Sequence, residues 1–206
     1  MKIAFFQKII DVLRGKHSLG ARVVAVGKNN FINIKNSKNS KLKIFVFGDN
    51  NTVNIETINY FDCTIYIGTK DTPCTNSVIN VGKETTSNGL TIRVMENGSS
   101  VDIGEDVMFS ENIVLFCTDT HSILDENKNV LNVGKSVEIG NHCWISQDVR
   151  FLKNTKILNN SVVGLGSVVT KKFNSENIII AGNPAKVVKE NINWSRQRPQ
   201  EILNSY

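Results

Sequence analysis

The sequence has little of several features that mark common protein classes. Only 3 of its 206 residues are proline, and aromatic residues make up 7%. No apolar run reaches about 18 residues, so no membrane-spanning helix is predicted. The formal net charge is +5, but Lys and Arg form no long run, so we predict no nucleic-acid binding. The mild positive excess fits either an ordinary solvated surface or attraction of an anionic ligand.

Cysteine is also sparse, and its spacing excludes common metal motifs. The four cysteines, at positions 63, 74, 117 and 143, form no CxxC pair and match no zinc-ligand pattern. We interpret each as a small apolar side chain in a protein of a reducing compartment. We therefore predict no metal site.

Asparagine, by contrast, is abundant and often paired, as in Asn29-Asn30, Asn50-Asn51 and Asn159-Asn160. Asn adopts the left-handed backbone conformation more readily than most residues, so these pairs predict repeated tight turns. Near the N-terminus, the apolar residues of 1–18 have helical spacing. We predict an amphipathic helix there, ending at His17, that packs on its own domain or on a sister subunit; peripheral membrane contact is the alternative.

A six-residue repeat dominates the region 133–170. Large apolar residues recur at every sixth position, and a small or apolar residue follows four positions after each of the first six. These positions are Val133, Ile139, Ile145, Phe151, Ile157, Val163 and Val169, with Val137, Cys143, Val149, Thr155, Ser161 and Ser167. A period of six fits neither a helix nor a plain strand. It predicts a triangular solenoid in which three hexads form a coil of about 18 residues, with both sets of side chains pointing inward.

The earlier part of the chain is a less regular version of this repeat. GKNNFINI (27–34) and GDNNTVNI (48–55) match at a separation of 21 residues. We predict one all-β domain over 19–180, a parallel β-helix whose polar first coil and preceding helix cover the open edge. A polar stretch at about 117–132 should project as a loop, and 181–206 should form a C-terminal turn and tail.

Two stretches sharpen the interpretation: FCTDTHSILDENKNVLNVGKSVEIGNHCWIS (116–146) and SVVGLGSVVTKKFNSENIIIAGNPAKVV (161–188). Together with the hexads, they resemble the hexapeptide-repeat acyltransferases, and in particular the members that O-acetylate capsular polysaccharides and polysialic acid. The resemblance implies a left-handed β-helix, a homotrimer, acetyl-coenzyme A as acetyl donor, a carbohydrate acceptor and a bacterial cytoplasmic location. The resemblance includes specific motifs over about 110–190, whereas over 20–110 only the architecture is similar.

The resemblance also assigns roles near the projecting loop. His121, in TDTHS, corresponds to the histidine that takes the proton from the acceptor hydroxyl, a task suited to imidazole. A surface-loop histidine is the alternative. Asp119 could orient the His121 ring, as could a backbone carbonyl. Trp144 corresponds to a tryptophan beside the acetyl group, although packing at a trimer interface would also explain it. His142 should point outward and lie near this site.

The proposed cofactor-binding residues follow from the same resemblance. Gly164 and Gly166 would let the pantetheine arm approach the backbone, or would simply serve the corners of the coil. Ser146 replaces the glycine that is usual after Trp-Ile. Thr170 and Lys171 leave the last coil, AGNPAK (181–186) with Pro184 turns the chain back, and Lys186 would bind the phosphates. Solvated lysines are the alternative.

Three functions are compatible with these features. The first is O-acetylation of a saccharide hydroxyl. The second keeps the chemistry but uses a small acceptor, such as a nucleotide-activated amino sugar, an antibiotic or serine. The third is a structural β-helix without catalysis, which the TDTHS loop, Trp144 and the C-terminal lysines argue against, because a purely structural solenoid needs none of them.

Overall fold

The computed structural model describes residues 21–35, 40–134 and 136–205. The helix predicted over residues 1–18, with His17, lies outside the described residues. Parallel strands stack into a β-solenoid of about seven turns. The predicted all-β fold, a left-handed parallel β-helix, is confirmed.

Short strands make up the solenoid, and a short helix follows it. In chain order the strands are β1 (Ala21–Val26), β2 (Phe31–Ile34), β3 (Leu42–Phe47), β4 (Thr52–Ile55), β5 (Phe61–Ile67), β6 (Val78–Val81), β7 (Thr86–Val94), β8 (Ser100–Ile103), β9 (Met108–Phe109), β10 (Ile113–Phe116), β11 (Ser136–Ile139), β12 (Trp144–Ile145), β13 (Arg150–Phe151), β14 (Thr155–Ile157), β15 (Val162–Val163), β16 (Val168–Val169), β17 (Ile179–Ala181) and β18 (Lys186–Lys189). The helix, α1, spans Pro199–Leu203.

The strands form three faces, which we number in chain direction. Face 1 contains β2, β4, β6, β8, β11 and β14, paired in parallel. Face 2 contains β9, β12, β15 and β17, and face 3 contains β10, β13 and β16. In the earlier coils one longer strand covers both of the last two faces, because β7 pairs with β9 at its start and with β10 further on. We call the turns between faces the 1–2, 2–3 and 3–1 corners.

The hexad pattern predicts the core correctly at six of its seven large positions. Ile139, Ile145, Phe151, Ile157, Val163 and Val169 are all buried, and so are the six small residues that follow four positions after each hexad start. The matched segments 27–34 and 48–55 also stack as predicted, since β2 pairs with β4 at a separation of 21 residues. Apolar side chains therefore fill a continuous core along the solenoid axis.

Val133 is the exception, and its predicted burial is wrong: 61% of its surface is exposed. The chain between β10 and β11 leaves the solenoid, and Val133 lies on the returning limb of this excursion, before the next coil begins at Ser136. Its side chain consequently has no coil above or below it to cover it. We call residues 117–134 the projecting loop.

The corners explain the abundance of asparagine. Asn29, Asn50 and Asn160 adopt positive φ values of 54–57°, as their pairing predicts. Close stacking also leaves little room at the corners. A Cβ atom on Gly140 would lie 2.7 Å from the backbone nitrogen of Asn159 in the next coil. The residues that interrupt the strands are therefore selected for backbone conformation and size.

The remaining sequence expectations concern cysteines, the C-terminal turn and membranes. All four cysteines are free and buried, and burial raises the pKa of the Cys117 and Cys143 thiols to about 12. Residues 182–185 turn the chain back, because β18 pairs antiparallel with β17. Across the parts of the chain that the structure describes, no helix is long and apolar enough to span a bilayer.

Candidate active site

The projecting loop emerges from the 3–1 corner and folds back on itself. Leu124 pairs antiparallel with Val130, and the Leu131 amide donates a hydrogen bond to the Ile123 carbonyl (2.8 Å). The loop is polar at its base, and its aliphatic side chains, Ile123, Leu124, Val130, Leu131 and Val133, are exposed. An exposed aliphatic group of this kind is typical of a surface that contacts another protein chain.

Three side chains fasten the base of the loop to the solenoid. The Asp119 carboxylate accepts hydrogen bonds from Lys153 Nζ (2.6 Å) and from Asn132 Nδ2 (2.8 Å). Lys153 lies at the 3–1 corner of the following coil, and its Nζ also donates to the Asn132 carbonyl. Asn132 donates further to the His121 carbonyl (2.8 Å). We call Asp119, Asn132 and Lys153 the loop clasp.

The clasp is electrostatically favourable at neutral pH. Hydrogen bonding from Lys153, and then from Asn132, holds the pKa of Asp119 below its usual value. Only 12% of the Lys153 side chain is exposed, so an unpaired ammonium there would lose hydration without compensation. The folded pKa of Asp119 is depressed, so the ionised carboxylate stabilises the folded clasp. This stabilisation is fully present above the ordinary Asp pKa of about 3.9 and is lost as the pH falls through the folded pKa.

His121 lies directly beside the clasp. Its backbone amide donates to the Asp119 carbonyl (2.7 Å), and its carbonyl accepts from Asn132. The residue is exposed, and it lines a cavity of about 160 Å³ together with Glu96, Thr118 and Asn132. The clasp therefore fixes the backbone on which the ring is carried. The Asp119 carboxylate is used by the clasp, and its role in orienting the ring stays a prediction.

We expect Asn132→Ala to loosen the loop. The substitution removes three hydrogen bonds from the Asn132 side chain, and even about 1.4 kcal/mol of lost stabilisation would raise the open population about tenfold. Limited proteolysis at neutral pH should then cleave within 117–134 about ten times faster than in the parent protein.

Asn127→Ala is the matched control, because Asn127 lies at the exposed tip of the same loop and contributes a backbone amide to a hydrogen bond with Asp125. Its cleavage rate should equal that of the parent protein. Equal cleavage of the Asn132→Ala and Asn127→Ala variants would show that the clasp does not hold the loop.

Trp144 lies on face 2, away from the loop. It begins β12, whose next residue, Ile145, points into the core, so the Trp144 side chain points outward. About 36% of its surface is exposed. The ring of Trp194, from the C-terminal tail, lies 6.1 Å from the Trp144 ring at an angle of 40°. The indole is thus available at the surface on one side and packed on another.

Several predicted cofactor residues form a column at the neighbouring 2–3 corner. Ser146 donates its amide to the Val163 carbonyl (3.0 Å), and Gly166 donates its amide to the Gln147 carbonyl (2.9 Å). Gly164 packs against the last coil, where an added Cβ would lie 2.9 Å from the Ala181 Cβ. Gly166 has a φ of 69°, and a Cβ there would meet no atom within 4 Å. Gly166 therefore leaves open space at the surface.

The remaining predicted residues lie around this column or at another corner. The turn that contains Pro184 lies over β16, since the Ala185 amide donates to the Val168 carbonyl (2.8 Å). Lys186 begins β18 and is exposed. Thr170 and Lys171 lie at the 3–1 corner, and the Lys171 ammonium is 5.3 Å from the centre of the Phe173 ring.

One chain consequently carries two separate groups of site residues. Trp144, Ser146, Gly164 and Gly166 cluster on face 2 and the 2–3 corner. His121 lies with Asp119, Thr170 and Lys171 on the 3–1 corner, which is opposite face 2 in the triangular coil.

Sequence reasoning missed four residues near these groups. Asn132 and Lys153 complete the loop clasp, but nothing in a polar loop or a corner lysine distinguishes them in the sequence. Trp194 and Arg196 fold back along the 1–2 corner towards His142. A lone tryptophan in the polar tail 190–198 was a signal that could have pointed to this contact.

Known proteins resemble this chain along most of its length. A polysialic acid O-acetyltransferase of Neisseria meningitidis is 35% identical over 187 residues, which cover 85% of this chain and 80% of the relative. A polysialic acid O-acetyltransferase of Escherichia coli O1:K1 is 32% identical over 129 residues, 62% of this chain. The match spans 41% of that longer relative. No family model matches the chain.

A solved structure agrees with these similarities. The crystal structure of the polySia-specific acetyltransferase NeuO superposes with a TM-score of 0.66 and 27% identity, covering 87% of this chain and 85% of the other. Sequence similarity over most of both chains and a shared solenoid lead to the same assignment. The chain therefore belongs to the hexapeptide-repeat acetyltransferases.

Proposed function

We propose that the chain is an acetyl-coenzyme A-dependent O-acetyltransferase that acts on a sugar hydroxyl of a polysaccharide or oligosaccharide of the capsule, lipopolysaccharide or sialic acid type. The family membership supports acetyl transfer, and the names of the relatives support a saccharide acceptor. The observation that carries the proposal is the exposed His121 on a loop that is clasped to the solenoid. We place the reaction in the bacterial cytoplasm, with acetyl-coenzyme A as a substrate.

In this mechanism His121 acts as the general base. Its neutral imidazole takes the proton of the acceptor hydroxyl, the hydroxyl oxygen bonds to the thioester carbonyl carbon, and the carbon–sulfur bond breaks. The departing sulfur recovers the proton from the imidazolium, so the enzyme returns to its starting state without a covalent intermediate. The Trp144 N–H can donate a hydrogen bond near the reacting carbonyl.

The column at the 2–3 corner fits the donor. The open space at Gly166 allows an extended chain to lie against the backbone, where peptide groups can bond to its amides. Lys186 is exposed close to the same corner, and Lys171 is exposed at the 3–1 corner. Because both residues are exposed, phosphates in solution can reach their ammonium groups.

The separation of His121 from Trp144 supports a homotrimer. Residues on a corner and on the opposite face of one coil can share a site if neighbouring copies of the chain contribute one group each. The exposed aliphatic side chains of the projecting loop would then be covered by the next copy. We propose three equivalent sites, each built from the loop of one subunit and face 2 of another.

Mixed trimers test this arrangement. Neither His121→Ala nor Trp144→Ala protein alone should have a complete site. Co-expression should restore activity, because some interfaces of a mixed trimer combine an intact loop with an intact face 2. The double variant co-expressed with the His121→Ala protein is the control and should restore nothing, because no subunit of such a trimer carries an intact loop. Absence of rescue in trimers of verified mixed composition would contradict the shared site.

The function itself is tested by acetyl transfer to defined acceptors. The purified protein is incubated with acetyl-coenzyme A and a panel that includes oligosialic acid, neutral oligosaccharides, a nucleotide-activated amino sugar and serine. Release of free thiol and a mass increase of one acetyl group on an oligosaccharide are expected. Transfer confined to the amino sugar or serine would contradict the saccharide proposal, and no transfer to any acceptor would contradict the enzyme proposal.

A further inference from the structure

The tail after β18 runs back along the 1–2 corner, and we call residues 190–198 the C-terminal strap. It contacts successively earlier coils. The contacts are the Ile192 amide to the Asn177 carbonyl (3.0 Å), Trp194 Nε1 to the His142 carbonyl (2.7 Å) and Arg196 Nε to Asp106 Oδ1 (2.9 Å). Trp194 is 8% exposed, so the strap is packed rather than loosely attached.

His142 is the central contact of the strap. Its ring stacks on the Trp194 indole with a centre-to-centre distance of 4.4 Å and an angle of 16°. Its Nδ1 lies 2.5 Å from Asp106 Oδ2, and its Nε2 lies 3.2 Å from the Trp194 carbonyl oxygen. A carboxylate and a carbonyl are both acceptors, so each ring nitrogen must carry a hydrogen to satisfy both contacts. The geometry therefore corresponds to the imidazolium.

The charges around His142 agree with this protonation state. Burial alone would raise the pKa of Asp106, but hydrogen bonds from His142 and Arg196 outweigh it and hold the pKa below its usual value. Arg196 also donates to Thr86 Oγ1 and to the Glu84 carbonyl. The adjacent Glu105 is ion-paired with Lys83 at 4.0 Å. The carboxylate of Asp106 thus lies between two cations, one from the corner and one from the strap.

The strap also reaches the candidate active site. The Trp194 ring is stacked on His142 on one side and lies 6.1 Å from the Trp144 ring on the other. This separation is within the range at which aromatic side chains attract each other. Trp194 therefore limits the positions that the Trp144 side chain can adopt on face 2.

We propose that the C-terminal strap is a positioning element for Trp144, and that protonated His142 holds it in place. Trp194 is the positioning residue, and it acts on the reaction through Trp144. The first half of this proposal rests on the proposed function, whereas the second half concerns the strap alone.

The pH dependence follows from the two acceptors. Neutral imidazole has one N–H, so deprotonation must break either the Asp106 contact or the Trp194 contact. The strap should accordingly be held while both ring nitrogens carry a hydrogen, and loosened once a rising pH removes one of them.

Fluorescence tests the strap without any activity assay. The chain has 2 tryptophans, so Trp144→Phe leaves Trp194 as the sole indole. A stacked imidazolium quenches an excited indole by accepting an electron. Emission from Trp194 should therefore rise with pH, measured over the range in which the protein stays folded, as the ring loses its second hydrogen.

His142→Asn in the Trp144→Phe background is the matched control. Asn tolerates the positive φ of 51° at this position, and it does not titrate. The emission of this protein should be independent of pH. A flat profile in the Trp144→Phe protein, or an equal rise in the control, would overturn the role of His142. His121 is unchanged in this control, so a pH response caused by His121 would appear in the control as well.

Kinetics test the positioning of Trp144. Trp194→Ala should lower kcat about two- to tenfold, the equivalent of one lost aromatic contact, with little change in the KM for acetyl-coenzyme A. Trp194→Phe should restore most of the loss. An unchanged kcat in Trp194→Ala would overturn the positioning role. A parent protein that is inactive towards every acceptor would contradict the proposed function. The fluorescence result would still decide whether His142 holds the strap.

Discussion

Replacing His121 with alanine should lower kcat by about 10²–10⁴-fold, the usual contribution of a positioned general base. The fold should be unaffected, because the residue is exposed and its hydrogen bonds to Asp119 and Asn132 involve only its backbone. The KM for acetyl-coenzyme A should change little, because the donor contacts are expected at the 2–3 corner. Steady-state kinetics with a reactive oligosaccharide, at saturating donor, measure both quantities.

The pH profile separates catalysis from a structural role. Only neutral imidazole can take a proton, so kcat of the parent protein should fall as the pH is lowered and the general base is lost. The residual activity of His121→Ala should lack this fall. Glu126→Ala, at the exposed tip of the same loop, is the control and should retain the parent kcat. Folded His121→Ala protein with the parental rate would show that the mechanism is wrong.

Phe151→Ala should reduce the free energy of unfolding by about 3–5 kcal/mol, the usual cost of removing a buried phenyl ring and leaving a cavity. Phe151 is completely buried on face 3, between the in-register residues Leu115 and Val169 of the coils on either side. The cavity cannot close easily, because the three-sided backbone keeps a fixed spacing between coils.

Leu152→Ala is the natural comparison. Leu152 is the next residue along the chain, but it is 36% exposed, and the change should cost no more than about 1 kcal/mol. Denaturant unfolding should be compared at one fixed protein concentration, since an oligomer gains stability with concentration. Equal losses of unfolding free energy in the two variants would contradict the assignment of Phe151 to the core and of Leu152 to the surface.

The sequence could predict the solenoid because a six-residue period has few structural explanations. Each hexad supplies one face and one corner, so the inward positions of 139–169 follow directly from the pattern. The earlier coils were harder to divide, because the 2–3 corner within β7 has only two residues, Asn88 and Gly89, where the next coil has three between Phe109 and Ile113, so β7 covers two faces. Changes in corner length alter residue spacing without changing which side chains face inward.

The site was only partly accessible to sequence reasoning. His121 and Trp144 stand out as unusual residue types at identifiable positions of a repeat. The clasp does not, because Asp119 and Lys153 are 34 residues apart and meet through the stacking of two coils. The contact between His142 and Trp194 spans 52 residues and requires knowing that the tail runs back along one corner. Such contacts are properties of the assembled fold.

The projecting loop occupies an unusual length of chain. Met108 pairs with Trp144 at a separation of 36 residues, twice the 18 residues that separate Trp144 from its own partner Val162. The excursion thus contains as many residues as one complete coil, and the hexad count runs through it unbroken. Val133 matched the repeat for this arithmetical reason alone. A chain from which the projecting loop was excised would therefore keep the phase of every hexad on both sides, so the solenoid could lose or exchange this loop without a change of register in its core.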